Sequence, residues 1–257
     1  MIEYNLPAEE YHISPGISKS GLDKIAISPA HYMAGKERPQ KPSEELLIGQ
    51  ATHTLILEPE KFDGEFIVAP SNLDKRTTAG KAAALELEES GKKVLTADQF
   101  EKIEGMAKSI RSNGLASELI SNGHAEVSAN TVIDEVIVRG RCDFLRSDGC
   151  LVDLKTTRSA HPKSFSKSIA EFRYHVQAAI YTDIFQANGI YVPDFTFIAV
   201  EKFYPYAVGI YQVDDDAIEH GRRLYLRDLS VYRECVQSKT WPSYPEEVVT
   251  LKLPPWA

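Results

Sequence analysis

The chain has 257 residues, 43% hydrophobic and 26% charged, ordinary figures for a globular protein with a real core. Its formal net charge of −8 argues against a protein that coats nucleic acid through bulk basicity, but not against an enzyme whose site is itself carboxylate-rich. Cys142, Cys150 and Cys235 are too few and too scattered for a disulfide framework or an iron–sulfur cluster. With no basic segment leading into an apolar one at the start, and no apolar run of membrane-spanning length, the expectation is a cytoplasmic protein.

Residues 1–16, with Pro7, Pro15 and Gly16, are turn-rich and expected to be irregular. Ser18 reads as the N-cap of a short helix through Leu22 and Ile25 that ends before Pro29. Gln40 to Ser43 reads as a loop; Ser43, followed by Glu44 and Glu45, opens a helix of about four turns that stops before Pro59. His53 lies four residues from both Gly49 and Leu57 and shares their face. A single histidine on an apolar face is more often a satisfied core residue than a ligand, yet Gly49 leaves room for a group to approach it. A short strand is expected at 65–69 and a helix near 80–90. Between them Lys75 to Lys81 forms a basic, hydroxyl-bearing loop, equally a phosphate contact or a solvated turn. Thr96 and Gln99 have the spacing of a capping box and start a long helix through Ile103, Met106 and Ile110.

From 124 to 154 the pattern changes to period two. A strand carrying Glu126 and a run from Val132 to Val138 precede a hairpin over Gly140 to Thr157, with a type I′ turn expected at Asp148 and Gly149. Along the second strand of that hairpin Asp153 and Lys155 share one face while Leu154 points to the other; Asp143, on the paired strand, can face the same space. Two carboxylates and an ammonium make a poor core. They suit a hard divalent cation, which takes oxygen ligands, with a lysine beside it to hold a water or offset charge on a phosphodiester. For Asp-x-Lys alone an exposed ion pair is the plainer reading; the spacing to Asp143 and the accompanying residues favour the metal. Glu126 supplies a third carboxylate to that space or is simply an exposed strand residue.

Helices are expected at 162–170 and from Tyr174 to Ala187. Gln177 and Tyr181 share a face of the second, which matters only if that helix crosses the charged side of the hairpin. Strands at about 194–201 and 206–213, a helix from Asp215 to Val236 with Ile218, Leu224, Leu229 and Tyr232 inward, and a proline-rich tail complete the chain. No interdomain linker is evident. The expectation is one α/β domain over 1–257, with a helical N-terminal part to about 122 and a sheet-containing catalytic part over about 123–257.

The order Gly49-x-x-x-His53, Glu126, Asp143, Asp153-x-Lys155 and Gln177-x-x-x-Tyr181 resembles the RecB-like branch of the PD-(D/E)XK (restriction-endonuclease-like) nuclease superfamily. The resemblance is closer still to the C-terminal nuclease domain of the exonuclease VIII (RecE) family. The segments at Pro15–Ser20, Phe66–Pro70, Arg76–Lys81, Arg173–Gln177 and Leu253–Ala257 carry the likeness over nearly the whole chain. The resemblance implies a mixed central sheet flanked by helices. It implies Asp143, Asp153, His53 and the Leu154 carbonyl as metal ligands and Lys155 as the group that orients or deprotonates water. Glu126 would assist a metal or a water; Gln177 and Tyr181 would steady Lys155 or the strand end. The second acidic position is Asp153 where Glu is commoner, and His175 has no assigned role. The family's long N-terminal extension is absent, so the chain reads as the nuclease module alone.

The activity implied is Mg²⁺-dependent (alternatively Mn²⁺-dependent) exonucleolytic digestion of one strand from a double-stranded DNA end, 5′ to 3′. It would leave a 3′ single strand for a RecT-like annealing partner in phage-type recombination. A homo-oligomeric ring is expected, and no membrane. Arg76, Lys81, Lys163, Lys167 and Arg173 are candidate phosphate contacts, each equally a solvated residue. The rival readings are a catalytically silent DNA-end-binding module and an endonuclease of the same superfamily.

Overall fold

A computed structural model describes residues 1–38, 43–74 and 76–253. Part of the expected loop (Gln40 to Pro42), Lys75, and the end of the tail (Pro254 to Ala257) lie outside the described residues. The first part of the chain runs β1 (Ile2–Glu3), α1 (Ala8–Ile13), β2 (Ile17–Ser18), α2 (Lys19–Ile27), α3 (Pro29–Glu37), α4 (Glu44–Leu57) and α5 (Pro59–Glu65). β3 (Phe66–Val68), α6 (Thr78–Glu89), β4 (Lys93–Leu95), α7 (Ala97–Ser112) and α8 (Gly114–Leu119) follow. Ser18, Ser43 and Thr96 cap their helices as expected, the last in a full capping box with Gln99. Two helices were hidden by proline. Pro29 and Pro59 end one helix and occupy the first turn of the next, where the missing N–H costs nothing and φ is already helical. The expected irregular start also holds the short helix α1.

The second part runs β5 (Gly123–Ile133), β6 (Val136–Arg146), β7 (Leu151–Thr157), α9 (Pro162–Glu171), α10 (Tyr174–Ala187), β8 (Phe195–Glu201), β9 (Val208–Gln212) and α11 (Asp215–Ser238). The strands form a mixed sheet in the order β1-β5-β6-β7-β8-β9, with β2 beside β6. β7 and β8 pair in parallel through the α9–α10 crossover; β5, β6 and β7 are antiparallel. One face of the sheet packs Val138, Leu151 and Phe197 against Ile180 and Phe185 of α10 and Leu229 of α11. The other packs Val152, Leu154, Ile198 and Val200 against Ile56 of α4 and Ile103 and Met106 of α7. Helices α4, α5, α7 and α8 of the first part therefore cover one face, while α2 and α3 join α9, α10 and α11 on the other. Among the described residues no helix is long and apolar enough to cross a membrane.

The turns correct the sequence reading. The two-residue turn with positive φ at both positions is Asp134 (47°) and Glu135 (68°), joining β5 to β6. At the expected type I′ turn only Gly149 has positive φ, and the loop has three residues: Gly149 N donates to Arg146 O (2.9 Å) and Arg146 N to Cys150 O (3.0 Å). Asp148 uses its carboxylate instead, accepting from Cys150 N and pairing with Arg146.

Gly140 of β6 leaves room for α10, since a Cβ there would lie 2.8 Å from the Tyr181 ring. Gly140→Ala is expected to lower stability by about 1–3 kcal/mol through overpacking, read from the urea midpoint. An unchanged midpoint would show that the Tyr181 ring can yield.

Candidate active site

β6 and β7 pair at Phe144–Val152 and Leu145–Leu151 and then diverge. Asp143 fills the opening, its Oδ2 accepting a hydrogen bond from Leu154 N at 2.7 Å. On the other side of β6, the pairs Ala125–Phe144 and Val127–Cys142 bracket Glu126 opposite Asp143. Glu126 has φ 52°, left-handed backbone that a glutamate seldom adopts. There the sheet changes faces: Ala125 and Phe144 belong to the α4–α7 side, Val127 and Cys142 to the α10–α11 side. Strict alternation would have kept Ala125 and Val127 together. Such strain costs of order 1–3 kcal/mol and persists only where the surroundings enforce it.

Helix α4 crosses β7 with Gly49 near Thr156, where an added Cβ would sit 3.7 Å from Oγ1. One turn on, His53 Nδ1 lies 3.4 Å from Asp143 Oδ2. His53, Glu126 and Asp143 offer ligand atoms all within 4.8 Å of one another. Next to them Asp153, 1% exposed, accepts from Gln177 Nε2 (2.5 Å) and pairs with Lys155 Nζ (2.5 Å). Lys155 also donates to Gln177 Oε1 at 3.0 Å, so one amide joins both motif side chains. The Lys155 ammonium lies 4.7 Å from the centre of the Tyr174 ring.

The electrostatics show an acidic cluster short of positive charge. Burial first, then the Asp143 carboxylate, push Asp153 up to about 6 against the pull of Lys155. The same two causes push Glu126 up to about 7, although Arg141 pairs with it at 2.7 Å. Burial acts to lower Lys155, but the Asp153 and Asp143 carboxylates outweigh it and hold the ammonium above the ordinary lysine value. A divalent cation among these groups would relieve their repulsion. One imidazole and several carboxylates form a donor set compatible with Mg²⁺ or Mn²⁺.

The fold thus brings together His53, Glu126, Asp143, Asp153, Lys155 and Gln177. Within that set Glu126 sits with His53 and Asp143 in the metal-sized trio, and Asp153 stands beside it on Lys155 and Gln177. Leu154 buries its side chain and gives its N–H to Asp143. Tyr181 packs on Gly140 and Phe195 rather than on Lys155.

Of the candidate phosphate contacts, Arg173 is taken up inside the protein by Asp23 (3.1 Å) and Asp228. Arg76 is exposed but chelated by Asp74 (2.9 Å), while Lys81, Lys163 and Lys167 are exposed. His175 is buried, with Nδ1 3.1 Å from Ile169 O and its ring stacked on His220. Sequence reading missed Tyr174 and Arg141. The available signals were the three-residue spacing from Tyr174 to Gln177 and the shared strand face of Arg141 and Asp143.

A family described as "PDDEXK-like domain of unknown function (DUF3799)" matches residues 18–254. None of the curated proteins matches. Among solved structures, a "Putative exonuclease" from Eubacterium rectale superposes with a TM-score of 0.66 at 16% identity, over 95% of this chain and 97% of that one. At that identity the likeness is one of fold. A "phage related exonuclease" from Haemophilus somnus 129PT aligns at 14% identity and a TM-score of 0.39, over 89% of this chain and 99% of that one.

Proposed function

We propose, the chain being a member of the PDDEXK-like family DUF3799, that its nuclease fold works as a divalent-metal-dependent DNA exonuclease. The observation that carries this reading is the arrangement of Asp153, Lys155 and Gln177 beside the His53–Glu126–Asp143 trio. His53, Glu126 and Asp143 hold the cation, with Asp153 as a further ligand. Mg²⁺ or Mn²⁺ bound there supplies positive charge against the phosphodiester and lowers the pKa of a water. Lys155 orients that water and offsets negative charge developing on the phosphate. Gln177 fixes the ammonium and the Asp153 carboxylate relative to one another. Tyr174 presents its ring to the ammonium and limits its motion.

The finer features are that the 257 residues act as one domain, digest from a duplex end 5′ to 3′, assemble into a ring and pass a 3′ strand to an annealing protein. The lack of an evident linker supports the single domain, and the RecE-like order of the motif residues supports the rest.

The test is digestion of linear and closed circular duplex DNA, with the strands labelled at opposite ends, in EDTA, Mg²⁺ and Mn²⁺. Metal-dependent loss of the 5′ label from linear DNA alone is expected. Cutting of the circle would convert the reading to an endonuclease, and end binding without degradation to a binding module. Gln177→Ala is expected to lower the metal-saturated rate by about 10- to 100-fold, as for other groups that orient a ligand from behind. A rate equal to wild type would remove Gln177 from the machinery.

A further inference from the structure

Arg173, half-buried at the junction of α9 and α10, has φ 55° and ψ 41°, left-handed backbone that favours glycine over arginine. No side-chain cap closes the N-terminus of α10, so nothing local fixes where its first turn begins. The guanidinium instead reaches two carboxylates on other helices. Its Nη2 donates to Asp228 Oδ2 of α11, and its Nε lies 3.1 Å from Asp23 Oδ1 of α2, an ion pair without an aligned hydrogen bond. Asp228 is 2% exposed, and its other oxygen accepts from Arg227 at 2.7 and 2.9 Å. Lys19 of α2 pairs with Asp23 (2.7 Å) and donates to Phe172 O (2.8 Å), holding the residue before Arg173 as well.

The clamp bears on the candidate active site through one turn of helix. Arg173 O accepts from Val176 N (3.1 Å) and Gln177 N (3.2 Å), so the first turn of α10 is built on this residue. That turn carries Tyr174 and Gln177, whose ring and amide hold Lys155. Backbone in a sparsely populated conformation persists only where its surroundings over-determine it. Released from the two carboxylates, Arg173 would return toward ordinary dihedrals, and a change there turns Tyr174 and Gln177 away from the lysine.

We infer that Arg173 is a positioning residue for the proposed catalytic lysine: held between Asp23 and Asp228, it sets the first turn of α10 so that Gln177 and Tyr174 meet Lys155. The inference rests on the nuclease reading and deepens it. It takes Arg173 out of the candidate phosphate contacts, since the charge of a guanidinium occupied by two carboxylates is already offset.

The experiment uses the full chain and measures kcat and KM on linear duplex DNA at saturating Mg²⁺. Wild type, Asp228→Asn and Arg173→Gly are compared, each also in the Gln177→Ala background. Asp228→Asn keeps the side-chain shape, and Arg173→Gly permits the positive φ while removing the clamp. Each should lower kcat about tenfold, with KM within about twofold of wild type. In Gln177→Ala the same changes should cost less than about threefold more, because they act through that amide. In metal-free protein, hydrogen exchange at the amides of 174–177 should quicken about tenfold in Asp228→Asn while β7 and β8 exchange as in wild type. Asp23→Asn, half-buried on the other side of the clamp, serves where Asp228→Asn does not fold. Wild-type kcat in both folded single variants, or the full loss retained in Gln177→Ala, overturns the inference and leaves the nuclease reading standing. A raised KM with unchanged kcat makes Arg173 a phosphate contact and also overturns it. A wild type that degrades no DNA overturns both.

Discussion

Lys155→Ala is expected to lower metal-saturated cleavage of linear duplex DNA by about 10²- to 10³-fold, the usual loss when a positioned donor is removed from a site where charge develops. The ammonium is held by three neighbours, Asp153, Gln177 and the face of Tyr174, so it has little freedom to be anywhere else. Its removal also leaves the buried Asp153 carboxylate without its counter-ion. Truncating one partner of a buried pair typically costs about 3–5 kcal/mol, so the metal-free variant should melt below wild type. A bound cation replaces the missing charge, and the gap in melting temperature should narrow when Mn²⁺ is added. The two readouts separate folding from chemistry. A variant that is metal-loaded, folded and within threefold of the wild-type rate would strip Lys155 of its catalytic role.

The second large effect is on stability rather than rate. Adding Mg²⁺ or Mn²⁺ to about 100 times its dissociation constant stabilises the folded state by about 2.7 kcal/mol. For a chain of this size that corresponds to about 5–10 °C in melting temperature. The pH dependence has a definite sign. Asp153 and Glu126 are pushed up to about 6 and about 7, so the folded, metal-free protein binds protons more tightly than the unfolded chain. This contribution is fully present below the ordinary carboxylate range and is lost as pH rises through about 6 to 7. Metal-free stability should fall as pH rises from the ordinary carboxylate range, about 4, through about 7, and saturating Mg²⁺ should flatten that slope.

Asp143→Asn keeps an oxygen for Leu154 N–H while removing one negative charge. Its metal-free form should be at least as stable as wild type, and its response to metal should disappear. Asp143→Ala orphans the Leu154 N–H and adds a loss of about 1–3 kcal/mol. A full metal response in Asp143→Asn would move the cation site away from this trio.

What could be read from sequence was local. Serine and threonine caps, the period-two strands and the Asp153-x-Lys155 alternation depend on neighbours within a few residues, and the structure reproduces them. α10 begins at Tyr174 and ends at Ala187, as the apolar spacing predicts. Gln177 was conditional on that helix crossing the hairpin, and it does. The rest was set by contacts distant in sequence. Nothing local distinguishes Asp134 and Glu135 as the two-residue turn, because the strand pairing on either side imposes their positive φ. For Glu126 the strand pattern left a third carboxylate at the site and an exposed strand residue equally open; its position in the trio depends on the change of face beneath it.

The hydrogen bond from Leu154 N to Asp143 makes the diverging strands a coupled pair. Asp143 belongs to β6 by covalent bonds but takes its position from the backbone of β7, which carries Asp153 and Lys155. If an incoming strand pushes on β7, the Asp143 carboxylate travels with it. The spacing between the groups proposed to hold the cation and the lysine proposed to handle the water would then be preserved during motion, as two tools fixed to one handle keep their separation when the hand moves.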